Sequence, residues 1–238
     1  MAWKIRIHQK PLAPGGLGHS FIVVEDDRGR PYAELNGGPV NKDGEFIKLE
    51  PGDLAAINSR ISGGVVGAEV RYFPFQPPLN LKDSTVRLLQ DVPVTQGQAV
   101  AAVKAAKACG DEINALRRPY RLLGTGPEID HMSESNAPLG PPGFNSNGVF
   151  STLLACMGVT PTHPAIARQP GNGQLILSPS QIGDIRQQYQ PASPDERIPL
   201  PPRRPQIRGD NSDGPRFASP GGQGYQETSV VPELPEQG

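Results

Sequence analysis

The sequence predicts an α+β fold in which a small antiparallel sheet packs against helices. Strand-like segments come first, helix-like segments follow them, and a stretch rich in proline and glycine ends the chain. There are 28 glycines and 28 prolines among 238 residues, so the hydrophobic residues, 36% of the total, must be concentrated in part of the chain. We therefore expect one folded domain over residues 1–187 and a disordered tail over residues 188–238.

Four segments have the pattern of strands. In WKIRIHQ, the side chains of Trp3, Ile5 and Ile7 fall on one face and polar side chains fall on the other. A glycine-rich loop, LAPGGLG, follows this segment. HSFIVVE and PYAELN then flank DDRGR, which has the Asp and Gly of a hairpin turn, and AEVRYFPF is the fourth β-like run.

A long helix is predicted after the strands. Thr95 and Gln98 have the spacing of a capping box, and an alanine-rich helical segment follows them. Gly110 lies inside this segment, where it costs about 1 kcal/mol relative to alanine and marks a kink or break. Pro119 stops the helix.

Composition excludes several classes of function. The chain has 23 basic and 24 acidic residues, a net charge of −1, which indicates no nucleic-acid partner. Two cysteines, Cys109 and Cys156, form neither a metal motif nor a disulfide framework, and we expect both in the core and no cofactor or metal. No segment is apolar over the length of a signal peptide or a membrane span, so we expect a cytoplasmic protein or one exported without a signal peptide.

The predicted tail contains one recognisable pattern. In PLPPRR, the residues Pro199, Pro202 and Arg204 fit a ligand for a proline-binding groove, which makes a protein partner one interpretation of the tail. A solvated segment with no partner is the alternative.

One of the four histidines has the context of a catalytic group. His8 lies on the polar face of the first strand, and His131 and His163 lie in loop-like sequence. His19 instead follows a glycine-rich loop and opens a strand, where it can serve as a general base. A structural hydrogen bond at a strand end is the alternative interpretation.

A catalytic imidazole usually has an orienting partner. If the hairpin turn is centred near Arg28, position 19 lies across from position 36 or 37. This places Asn36 as the orienting group, with Glu34 on the same strand as the second choice. Asn36 precedes two glycines, so a simple turn residue is the alternative.

A second helix is predicted over Asn147–Met157, with Gly158 as its C-cap. The polar residues Asn145, Ser146 and Asn147 mark its start, and capping explains only one of them. A helix N-terminus stabilises negative charge, which suits a nucleophile or a developing oxyanion. Ser146 is therefore the candidate nucleophile, with Asn145 and Asn147 at the oxyanion position, and a plain helix cap is the alternative.

Two stretches carry a resemblance to a known family. LGHSFIVVEDDRGRPYAELNGG and YRLLG…GFNSNGVFSTLLACMG resemble the histidine and nucleophile segments of the papain-like superfamily, in its NlpC-like, circularly permuted branch. In that branch the histidine comes early and a cysteine comes late, at a helix start. The resemblance covers roughly Gly15 to Gly158, and Ser146 stands where the family usually has cysteine.

The resemblance implies a papain-like fold and a bacterial hydrolase or acyl-transfer enzyme that acts on amide or ester bonds. Peptidoglycan peptides are the first substrate class that it implies, and lipid esters are the second. Serine needs a well-aligned base because its pKa is far higher than that of cysteine. Three hypotheses follow: a serine-using hydrolase, which could be a secreted effector, an inactive form that has lost its cysteine, and a binding module on the same fold.

Overall fold

Five strands form one antiparallel sheet. The computed structural model describes residues 2–13, 17–49, 52, 57, 61–122, 144–162 and 172–189. The strands are β1 (Trp3–Ala13), β2 (Leu17–Glu25), β3 (Pro31–Val40), β4 (Val65–Tyr72) and β5 (Arg87–Val94), in the spatial order β4-β3-β2-β1-β5. Each strand is antiparallel to its neighbours, which confirms the predicted antiparallel sheet.

Four of the five strands were located from the sequence. The fourth occupies Val65–Tyr72 rather than the predicted AEVRYFPF, which begins three residues later. β5 was not predicted, because it contains Asp91 and Pro93, two residue types that are unfavourable in strands. Its place at the edge of the sheet tolerates a proline there.

Three helices are described: α1 (Gln96–Leu116), α2 (Ser146–Met157) and α3 (Pro179–Tyr189). The capping box of Thr95 and Gln98 is present, and Gly110 does not interrupt α1. A side chain at position 110 would put its Cβ 3.2 Å from the Cβ of Ala68, so this glycine lets α1 approach β4 closely.

The second predicted helix is confirmed as α2, with Gly158 as its left-handed C-cap at φ 71°. The third helix was not predicted, because only Ile182 and Ile185 of its residues are buried and its apolar stripe is correspondingly weak. It ends at Tyr189, two residues beyond the predicted domain boundary.

The two faces of the sheet differ in chemistry. One face contributes Ile5, Ile22, Val24 and Leu35 to the apolar core shared with the helices. The other face is also buried, but it combines Phe21 and Val23 with a set of polar side chains: His8, Lys10, His19, Glu34 and Asn36. Buried polar groups need hydrogen-bond partners, so this polar face is where a site is most readily found.

All described residues belong to one compact unit, Met1–Ile198. None of the described helices is long and apolar enough to cross a membrane. The predicted tail, the proline pattern within it, and both His131 and His163 lie outside the described residues.

Candidate functional site

Asn145 is the N-cap of α2. Its side-chain oxygen accepts hydrogen bonds from the backbone N–H groups of Asn147 and Gly148, at 3.0 and 3.1 Å. Its amide nitrogen donates to the carbonyl of Leu122 at 3.1 Å. Two of the four N–H groups that a helix start offers to an oxyanion are therefore already occupied.

Asn147 joins the start of α2 to β2. Its side-chain oxygen accepts from the backbone N–H of Ser20 at 3.3 Å, and its amide nitrogen donates to the carbonyl of Gly18 at 3.1 Å. These two backbone groups flank His19. The β2–β3 ladder ends at the pair Ile22–Leu35, so the amide of Asn147 takes the place of a strand partner beyond that pair.

Ser146 is the first residue of α2 and is buried. The Tyr120 hydroxyl donates to Ser146 Oγ over 3.5 Å, and it also interacts with the backbone of Ser146. Burial raises the pKa of Tyr120, and these bonds to Ser146 partly oppose that rise. Tyr120 is therefore a protonated hydroxyl in direct contact with the predicted nucleophile.

Gly37 makes room for the same helix start. A Cβ at this position would lie 2.4 Å from the Cβ of Val149 and 2.8 Å from the carbonyl oxygen of Ser146. Only glycine permits that approach of α2 to β3. Asn36 is therefore not a turn residue: it is fully buried within β3, next to the point where the helix touches the strand.

His19 is buried, with 3% of its surface exposed. Its Nε2 lies 3.4 Å from the side-chain nitrogen of Asn80, a residue that the sequence did not single out. The same Asn80 nitrogen donates to Asn36 Oδ1 at 2.8 Å. His19 Nδ1 has no hydrogen-bond partner within the described part of the chain.

Glu34 belongs to this network but is not the group next to the histidine. Its carboxylate accepts from the Asn36 side chain at 3.1 Å and from the backbone N–H groups of Leu79 and Asn80, at 3.2 and 2.8 Å. The chain of contacts therefore runs from Glu34 through two asparagines to His19. Asn80 was not predicted as a site residue from the sequence, because it lies in a turn between β4 and β5, where asparagine is common.

His19 is neutral at pH 7. Burial is the largest cause and, with the positive charge of Lys10, lowers the pKa of His19 to about 4, while a hydrogen bond with Asn36 opposes the shift. Lys10 lies directly across from His19 in the β1–β2 ladder and is itself fully buried. Its ammonium group lies 2.8 Å from Asp83 Oδ2.

The structure divides the predicted residues between the two faces of the sheet: His19, Glu34 and Asn36 lie on the polar face, whereas α2, which begins with Ser146, packs against the apolar face. Asn36 and Asn80 hold one side of His19, and Asn147 fixes the strand on which His19 lies. No hydrogen bond joins His19 to Ser146, since His19 Nδ1 has no partner in the described residues and the Ser146 hydroxyl interacts with Tyr120.

The cysteines lie elsewhere. Cys109 and Cys156 are buried, as the sequence predicts, and a hydrogen bond with Cys156, together with burial, raises the pKa of Cys109. Cys156 and Met157 line a cleft of about 350 Å³ at the far end of α2, and none of the predicted site residues lines that cleft. The cleft is therefore separate from the candidate site.

Comparison with protein-family models, with curated proteins and with solved structures gave no match to this chain. What the fold and the site themselves define is an α+β protein in which a buried histidine–asparagine network occupies one face of a five-stranded sheet and the helix that begins with Ser146 packs against the other face. Functional conclusions therefore depend on the chemistry of these residues.

Proposed function

We propose that the protein is a hydrolase or acyl-transfer enzyme that acts on amide or ester bonds, with Ser146 as nucleophile and His19 as base. The observation that carries the proposal is the unpartnered Nδ1 of His19, a buried and neutral imidazole. Asn147 ties the strand that bears His19 to the helix start that bears Ser146. A neutral imidazole with a free nitrogen is what a general base requires.

The hydrogen bonds of His19 also bear on its tautomer. For Nδ1 to accept a proton, the ring hydrogen must be on Nε2, and Nε2 must then donate it. The group that lies 3.4 Å from Nε2 is the Asn80 amide nitrogen, which can only donate, so this tautomer requires the Asn80 amide to turn away from Nε2. Asn36 remains the proposed orienting residue, because its hydrogen bond with His19 raises the pKa of the ring and because Asn80 donates to its oxygen at 2.8 Å.

In the proposed reaction, His19 Nδ1 takes the hydroxyl proton as Ser146 Oγ attacks the carbonyl carbon. The bond to the leaving group breaks, His19 returns the proton to that group, and an acyl-serine remains. Water or a second acceptor then releases the acyl group by the reverse proton transfers. In the structure, Ser146 Oγ contacts Tyr120, and the His19 side chain lies on the sheet face opposite to α2, so the proposed attack requires the start of β2 to rearrange as well as the hydroxyl to turn.

Tyr120 is the best candidate for an oxyanion donor. The N–H groups of Asn147 and Gly148 are occupied by the Asn145 side chain, so they are not available to an oxyanion. The Tyr120 hydroxyl instead lies beside both the side chain and the backbone of Ser146. A preorganised donor at that place stabilises the charge that develops on a carbonyl oxygen.

Peptidoglycan peptides are the substrate class we propose first, and lipid esters second, on the resemblance of the two short motifs. Delivery as a bacterial effector belongs to the same proposal. Its support is the sequence pattern alone.

A second candidate is a non-catalytic protein on the same architecture. The observation that favours it is the hydroxyl of Ser146, which contacts Tyr120 and not His19. In that case Ser146 is a buried structural residue at the first position of α2, and the network around His19 serves stability.

Substitution at position 146 distinguishes the two. We expect Ser146→Ala to lose activity on peptidoglycan peptides or simple esters by several orders of magnitude, as removal of a nucleophile does. Ser151→Ala is the matched control, because Ser151 lies on the same helix and its hydroxyl bonds Asn172 instead. Activity that survives Ser146→Ala would exclude Ser146 as nucleophile.

Ser146→Cys separates the remaining outcomes. If the wild type is inactive because a cysteine was lost, Ser146→Cys gains activity and a thiol whose pKa lies below the usual value of about 8.5. If every form is inactive and the new thiol titrates near that value, the protein is non-catalytic.

A further inference from the structure

The connection between β4 and β5 folds back over the polar face of the sheet at residues Leu79–Asp83, which we call the strap. The backbone N–H of Asp83 donates to the carbonyl of Asn80 at 2.9 Å. The Asp83 carboxylate also accepts from the Thr85 hydroxyl at 2.7 Å and from the Thr85 backbone N–H at 2.9 Å. The strap is therefore a hydrogen-bonded turn with a definite shape.

Two side chains of β3 hold the first end of the strap. Glu34 accepts the backbone N–H groups of Leu79 and Asn80, and Asn36 accepts the side-chain amide of Asn80. Hydrogen bonds to a carboxylate are stronger than neutral ones, so this end is firmly attached.

Lys10 holds the other end. Its ammonium group pairs with Asp83 at 2.8 Å; the Lys10 side chain is fully buried, whereas 23% of the Asp83 side chain is exposed. Lys10 also donates to the carbonyl of Leu49 at 3.3 Å, but Asp83 is a charged partner, and removing one charge from a buried ion pair is unfavourable. The pair therefore opposes any movement of the strap away from the sheet.

His19 lies between these two attachments. It is the ladder partner of Lys10, and its Nε2 lies against Asn80, which like His19 is only 3% exposed. A molecule that approaches the ring from this side must displace Asn80. We propose that the strap is a displaceable cover over His19 and that the Lys10–Asp83 ion pair is its latch.

That the strap controls access of a substrate to His19 rests on the proposed function. That the strap covers His19 can be tested by chemical modification of the histidines, without any activity assay. Diethyl pyrocarbonate modifies accessible neutral imidazoles, and peptide mapping reports each histidine separately. We expect Asp83→Asn to accelerate modification of His19 about tenfold or more, because local opening sets the reactivity of a buried group. His8 is the internal reference, since it stacks on the same Phe21 ring and is also buried.

Two further variants keep the test decisive. Asp83→Asn removes the carboxylate and leaves the Lys10 ammonium buried without it. The double variant Lys10→Met with Asp83→Asn removes both charges of the pair, so it breaks the latch without changing the net charge. Asp111→Asn is the matched control, because it breaks an exposed ion pair with Lys107 on α1. In that control the rate at His19 should equal the wild-type rate.

The proposal is overturned if His19 reacts at the wild-type rate in both latch variants, or if His8 and His19 accelerate together, which would show global unfolding. Acceleration confined to His19 supports it. If only His19 reacts faster in the latch variants while the wild type and Ser146→Cys are both inactive in the enzyme assays, the proposal for the strap is supported and the proposed enzyme function is wrong.

Discussion

At the scale of single residues, the buried histidines make stability depend on pH. Burial lowers the pKa of His8 to about 4, with a contribution from Arg6, and His19 is shifted to the same value from an ordinary 6.5. The unfolded chain therefore binds protons below pH 6.5 that the folded protein does not bind until about pH 4. Stability rises with pH across this window and is lost as the pH falls through it.

The prediction at this scale is a change of slope. We expect His19→Asn to reduce the pH dependence of the unfolding free energy between pH 4 and 6.5, by up to about 1.4 kcal/mol per pH unit. Urea unfolding at a series of pH values measures it. Asp83 does not contribute to the slope in this window. Lys10 holds the pKa of the Asp83 carboxyl below its ordinary value, so the effect of Asp83 on stability appears only at lower pH. An unchanged slope would mean that His19 has the same pKa in the folded and the unfolded protein.

At the scale of elements, asparagine side chains attach helices to strands at two places. Asn147 pairs with the backbone of β2 at Gly18 and Ser20, and Asn114 of α1 pairs with both the N–H and the carbonyl of Ala68 in β4, at 2.8 and 3.0 Å. Each amide imitates the hydrogen bonds of a strand, and only the first lies beside His19.

These two contacts provide a matched pair of variants. We expect Asn147→Ala and Asn114→Ala each to lower the free energy of unfolding by about 1–3 kcal/mol, because each leaves two backbone groups without a partner. Under the proposed function only Asn147→Ala should also abolish activity, since it releases the helix start from the strand of His19. Thermal unfolding and the ester assay measure the two effects. Equal loss of activity in both variants would indicate a general effect of destabilisation.

At the scale of the whole molecule, the boundary of the compact unit can be tested. The compact unit ends at Ile198, and the sequence beyond it is rich in proline, glycine and charge. Such a sequence buries too little surface to offset an ordering entropy of about 1–2 kcal/mol per residue.

We therefore expect a chain truncated after Ile198 to unfold cooperatively, with a midpoint close to that of the full chain. Denaturant unfolding followed by circular dichroism measures it. Limited proteolysis of the full chain should yield a core of the same size. Loss of the cooperative transition on truncation would show that the removed residues belong to the fold.

Much of the architecture could be predicted from local sequence. Alternation located β1, the two runs that flank the DDRGR turn located β2 and β3, the capping box of Thr95 and Gln98 located the start of α1, and Gly158 located the end of α2. These features depend on neighbouring residues, so a local pattern contains them. β5 and α3 were missed because their buried stripes are narrow and their contacts come from distant parts of the chain.

In the candidate site, too, the features that depend on neighbouring residues were predicted and the contacts between distant residues were not. The sequence by itself determined that His19 lies near the start of a strand and that the polar run 145–147 lies at the start of a helix, because glycine content, β-branched runs and capping residues act over a few positions. Only the tertiary structure decided which groups meet: Asn80 against His19, Tyr120 against Ser146, and Asn147 across to β2. Those contacts join residues far apart in the chain, and their energies depend on burial, which no local pattern records.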